Sequence, residues 1–90
     1  MCRNIKPLFN FDPPTTDDEV RASALQYVRK VSGFTKASRA NEAAFDAAVE
    51  RVSAVTRELL DALVTTAPAK DRETEAARAR ERAQRRYGAA

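Results

Sequence analysis

The sequence predicts an all-α fold: a small three-helix domain with an extended N-terminal arm. Three observations carry that reading. Apolar residues recur at three- and four-residue steps through two long segments, a helical period rather than the alternation of a strand. Start and stop signals bracket those segments. Ninety residues are also enough for one domain and too few for two. The expected division is an arm and helical core over residues 1–69, then a basic helical segment of the same domain over 70–90.

The arm comes first. Ile5, Leu8, Phe9 and Phe11 are apolar, while Pro7, Pro13 and Pro14 lack amide donors and fix φ, so a helix through them is disfavoured. The four apolar side chains are expected to cover an open side of the helical core. Thr16 with Glu19 then forms a capping box, in which the hydroxyl accepts an orphan amide and the carboxylate reaches back to the cap amide. Asp17, Asp18 and Glu19 also suit the helix dipole. Val20, Ala24, Val28 and Val31 mark the buried stripe, widened by Leu25 and Tyr27, and Gly33 suits a left-handed stop after Ser32.

The second helix is capped by Ser38 or by Asn41, between which the sequence does not decide. Phe45, Val49, Val52, Leu59 and Leu63 are expected to pack on Val20, Ala24, Leu25, Val28 and Val31. This helix is expected to end near Thr65–Thr66, because Pro68 would cost about 3 kcal/mol inside it. The third helix, about Lys70 to Tyr87 with Gly88 as its stop, has helix-forming composition with acids early and arginines late. Its apolar stripe is only Ala76, Ala79, Ala83 and Tyr87.

Charge is distributed unevenly. Residues 1–69 balance nine basic against nine acidic side chains, whereas residues 70–90 carry seven basic and four acidic, so the whole net charge of +3 lies there. Histidine is absent. That removes Ser-His-Asp and Cys-His catalysis and the usual zinc sites. The only cysteine, Cys2, has no internal disulfide partner, which agrees with a reducing compartment. No charge-free run approaches the roughly 20 residues of a membrane span, and no signal peptide is visible. A cytoplasmic protein without cofactor, metal or membrane partner is expected.

Several stretches point to a family. They are Met-Cys-Arg-Asn-Ile-Lys at the start, Leu-Phe-Asn-Phe at 8–11, Pro-Pro-Thr-Thr at 13–16, Leu-Gln-Tyr-Val-Arg-Lys-Val-Ser-Gly at 25–33, Asn-Glu-Ala-Ala-Phe at 41–45 and Thr-Thr-Ala-Pro at 65–68. In these the chain resembles a family of small uncharacterised bacterial proteins known as domain of unknown function 2277. Ala37 and Ala69 stand where prolines are expected in that family. The resemblance implies a single domain and brings no activity with it.

Two features are candidates for function. Arg78, Arg80, Arg82, Arg85 and Arg86 span little more than two helical turns, and phosphate-rich partners reward such clustering through counterion release and bidentate contacts. The competing reading is a solvated helix face, since Glu73, Glu75 and Glu81 dilute the charge. Cys2, as a mature N-terminus, would place a thiol and an amine on one residue beside Arg3, the pairing used by N-terminal nucleophiles. The alternative is a small apolar side chain under the arm. The row Glu42, Asp46 and Glu50 is expected to face the arginines of the third helix, with Glu50 near Arg82, Arg85 and Arg86. A non-enzymatic binding module for nucleic acid or an acidic protein follows from the arginines. Thiol chemistry at Cys2 is one alternative, and a self-associating structural protein sharing its second helix between subunits is another.

Overall fold

The computed structural model describes residues 5–87, the side chain of Tyr87 excepted. Cys2, Arg3 and Gly88 therefore lie outside the described residues. The elements in chain order are β1 (Phe11–Asp12), α1 (Asp17–Ser32), a 3₁₀ turn (Arg39–Asn41), α2 (Glu42–Ala62), β2 (Lys70–Asp71) and α3 (Arg72–Tyr87). They form two compact units. One holds the chain up to Phe9 and Thr15–Thr65; the other holds Asn10–Pro14 and the chain from Thr66 onward.

The first unit is a helical hairpin. Thr16 and Glu19 make both bonds of the capping box: the Glu19 amide donates to the Thr16 hydroxyl (3.2 Å) and the Thr16 amide to the Glu19 carboxylate (2.9 Å). At the other end Gly33 adopts φ 79°, and its amide closes on the Arg29 carbonyl. Ser38 and Asn41 satisfy each other (Asn41 Nδ2 to Ser38 Oγ, 2.8 Å). Neither side chain caps α2, although Asn41 occupies the cap position.

The core consists of Val20, Ala24 and Val28 from α1 and Val49 from α2, with Leu25, Phe45, Ala48 and Val52 packed partly buried against the cluster. Ser53 and Thr56 share the inward half of α2 and donate their hydroxyls to the Val49 and Val52 carbonyls (2.7 Å each), which spares them an unpaired polar atom. Three expected core residues are instead exposed: Val31, Leu59 and Leu63. Length explains Leu59 and Leu63. α2 has 21 residues and α1 has 16, or about 32 Å against about 24 Å. The ion pair Arg57–Asp17 (2.8 Å) sets the start of α1 level with Arg57, so Leu59 and Leu63 run past it.

α2 also stops earlier than expected, with Leu63 already extended (φ −69°, ψ 139°). The run Val64, Thr65 and Thr66 favours strand-like backbone, and Pro68 biases the chain ahead of it away from helix.

The second unit contains a feature absent from the sequence expectation. β1 and β2 pair in parallel, Phe11 with Lys70 and Asp12 with Asp71. Asn10 sets up the pairing from φ 63°, a left-handed position that asparagine tolerates. Its side-chain amide donates to the Ala67 and Pro68 carbonyls (3.3 and 3.1 Å), and its own carbonyl accepts the Lys70 amide (2.8 Å). Phe11 consequently belongs to this unit rather than to a helical core. Lys70 Nζ lies 4.9 Å and Arg72 Cζ 5.6 Å from its ring centroid, within cation–π range. Arg72 Nε also donates to the Pro13 carbonyl (2.6 Å). Lys70 and Asp71 are thus strand rather than the first helical residues.

Candidate functional site

α3 presents the arginines. Asp71 initiates it by accepting from the Thr74 amide (2.9 Å) and hydroxyl (2.7 Å), and these bonds hold the Asp71 carboxyl below its ordinary pKa, the hydroxyl bond contributing most. Ala76, Ala79 and Ala83 are exposed on this helix, and only Ala77 among its alanines is partly covered.

The five arginines are not equivalent. Arg78 reaches back to Glu75 (3.3 Å), and Arg86 is likewise engaged. Arg80, Arg82 and Arg85 are exposed, with no hydrogen bond or ion pair among the described residues. Helical spacing puts Arg78, Arg82 and Arg85 on one face and Arg80 on the opposite one. Each is a rigid, permanently charged fork suited to phosphate oxygens.

The acidic row does not pair as expected. Glu50 binds Arg21 of α1 across the hairpin, so its partner is not an arginine of α3. Arg57 is the other anchor of that hairpin: it donates to Asp17 (2.8 and 3.1 Å) and to the Thr15 carbonyl (3.2 Å), and lies 3.5 Å from Asp61. The sequence did not single out Arg57. Its spacing to Asp61 is a visible i,i+4 pair, but the bond to Asp17 requires the hairpin to exist first.

A shallow, open depression of ≈ 440 Å³ at the start of α3 is lined by Asp71, Glu73, Thr74, Ala76, Ala77 and Arg80. Its two carboxylates oppose anion binding, and its openness leaves nothing to exclude water from a reaction. Among the described residues no three acidic or thiol side chains converge as a metal site requires, and no helix is long and apolar enough to cross a membrane. The thiol candidate, Cys2, lies outside the described residues.

A family model described as an uncharacterised conserved protein, DUF2277, matches residues 1–78. No curated protein and no solved structure matches the chain. The matched stretch includes both helices of the hairpin and ends at Arg78, so Arg80, Arg82, Arg85 and Arg86 lie beyond it.

Proposed function

The chain belongs to the DUF2277 family of uncharacterised conserved proteins, and we propose that it is a non-enzymatic binding module whose α3 arginines engage the phosphates of a nucleic acid. The observation that carries this reading is that three exposed, uncommitted arginines fall within six residues of α3, whereas those of the hairpin, Arg39 and Arg51, stand apart. Arg21 and Arg57 in the hairpin are committed to carboxylates, whereas Arg80, Arg82 and Arg85 are exposed and uncommitted. A phosphate contact costs these three no existing ion pair. Because they follow the family-matched stretch, binding of this kind would be a property of this chain's own C-terminal helix.

The test is a titration of duplex DNA at several salt concentrations. Three phosphate contacts predict a slope of log K against log salt of about −2.7. Arg80→Gln, Arg82→Gln and Arg85→Gln together should flatten that slope toward zero. Substitution is preferable to deletion, because removing residues from 66 onward would also strip Asn10 of its partners. No measurable binding at low salt would overturn the proposal.

A further inference from the structure

α3 holds its uncommitted arginines on two sides, and that arrangement restricts what the helix can lie against. Successive helical residues turn by about 100°. Measured from the direction midway between Ala79 and Ala83, Arg80 stands about 80° to one side and Arg82 about 80° to the other. Arg85 follows on the Arg82 side, about 140° round, and Glu81 lies about 180° away. All six of these residues are exposed. A single row of phosphates along the helix would meet Arg80, or Arg82 and Arg85, but not all three. Arg72, also on the alanine side, is held at Pro13, yet that contact comes about 10 Å before Ala79 along the axis.

We propose that the last turns of α3 enter the major groove of duplex DNA. Ala79 and Ala83 face the base edges, Arg80 meets the phosphates of one strand, and Arg82 and Arg85 meet those of the other. This docking rests on phosphate binding by α3 and assigns it to one form of nucleic acid. A helix with its side chains is about 10–12 Å across, and the B-form major groove is about 12 Å wide with a phosphate backbone along each wall. The minor groove, about 6 Å wide, excludes a helix. The major groove of A-form RNA is too deep and narrow, and a single strand offers one line of phosphates rather than two. The small alanine side chains let the helix approach the groove floor, where their methyls suit those of thymine. Glu81, the acid inside the arginine run, then points out of the groove, away from both backbones.

The test is binding of the full chain at low salt, read by fluorescence anisotropy, to a short DNA duplex and to the same duplex carrying glucosylated 5-hydroxymethylcytosine. The added sugar projects from the cytosine C5 position into the major groove and should weaken binding at least about tenfold. An RNA duplex of the same sequence should bind more weakly than the unmodified DNA. Ala79→Leu with Ala83→Leu should also cost at least about tenfold on unmodified DNA, because the larger side chains hold the helix off the floor. Glu81→Leu, on the opposite side, should not weaken binding. Helical signal and melting temperature should match wild type in both variants, since the substituted positions are exposed. Equal affinity for the plain and glucosylated duplexes, equal affinity for the RNA duplex, or binding indifferent to the paired leucines overturns the groove docking and leaves phosphate binding standing. Absence of binding to all three duplexes overturns both.

Discussion

At the scale of single residues, burial separates side chains that the sequence pattern treats alike. Val49 is 3% exposed and Val64 is 93% exposed, though both are valines in or beside α2. Val49→Ala should cost about 2 kcal/mol through lost transfer energy and the cavity left behind. Val64→Ala should stay within about 0.5 kcal/mol of wild type. Phe45, half-buried at the edge of the cluster, should lose about 2–3 kcal/mol on truncation to alanine, less than a fully enclosed phenylalanine. Urea melts of the three variants check the ranking, and an equal effect at Val49 and Val64 would refute the core assignment. The residue signals with local causes were legible in the sequence. Thr16 and Glu19 interact within one turn, and Gly33 needs only its own φ. Asn10 was not legible, because its left-handed backbone is held by carbonyls more than fifty residues away.

At the scale of elements, α1 and α2 were readable because their period and their caps agree. The inward face of α2 was not fixed by that period. Its apolar side chains spread over more than a third of the helical circumference, and only the position of α1 decides which of them are covered. The strand pair was invisible for a different reason: two residues on each side give no alternation to detect. α3 was legible as a helix, but its first residues were misassigned because Lys70 pairs with β1. Its start yields a prediction. The Asp71 carboxyl is held below its ordinary value of 3.8 by the two bonds from Thr74, so its support for the helix is complete above that value. It is lost as pH falls through the lower value of the folded protein. Asp71→Ala should therefore reduce helicity at pH 7, with the difference from wild type shrinking as the pH falls below 3.8 and the carboxylate takes up its proton. Circular dichroism of both proteins across that range reads the effect, and a difference independent of pH would exclude the carboxylate as its source.

For the molecule as a whole, the described arginines differ in how their charges are used. In the hairpin Arg21 pairs with Glu50 and Arg57 with Asp17, while Arg80, Arg82 and Arg85 of α3 are exposed and have no ion pair among the described residues. The candidate arginines were named from the sequence because their excess charge is a matter of counting. The division of that cluster into engaged and uncommitted members depends on which acid lies within reach, as Glu75 does for Arg78.

The pairing of Phe11 with Lys70 also has a consequence for the order in which the chain assembles. The contact joins segments almost sixty residues apart, and Arg72 with Pro13 repeats it at a separation of 59. Closing such a loop in an unstructured chain is entropically expensive, growing as the logarithm of its length. Once α1 and α2 have paired, Asp17 and Arg57 are already held together, and only the connecting residues 12–16 and 58–69, about seventeen, remain to be closed. That shortening lowers the cost by about 1.1 kcal/mol. The hairpin, built from local contacts, is therefore expected to form first and to act as the template for the strand pair. In pulse-labelled hydrogen exchange during refolding, amides of α1 and α2 should gain protection before the Lys70 amide, whose acceptor is the Asn10 carbonyl. Val49→Ala should delay both phases, whereas Asn10→Ala should weaken only the second. Simultaneous protection of all these amides would instead mean that the whole chain orders in one step.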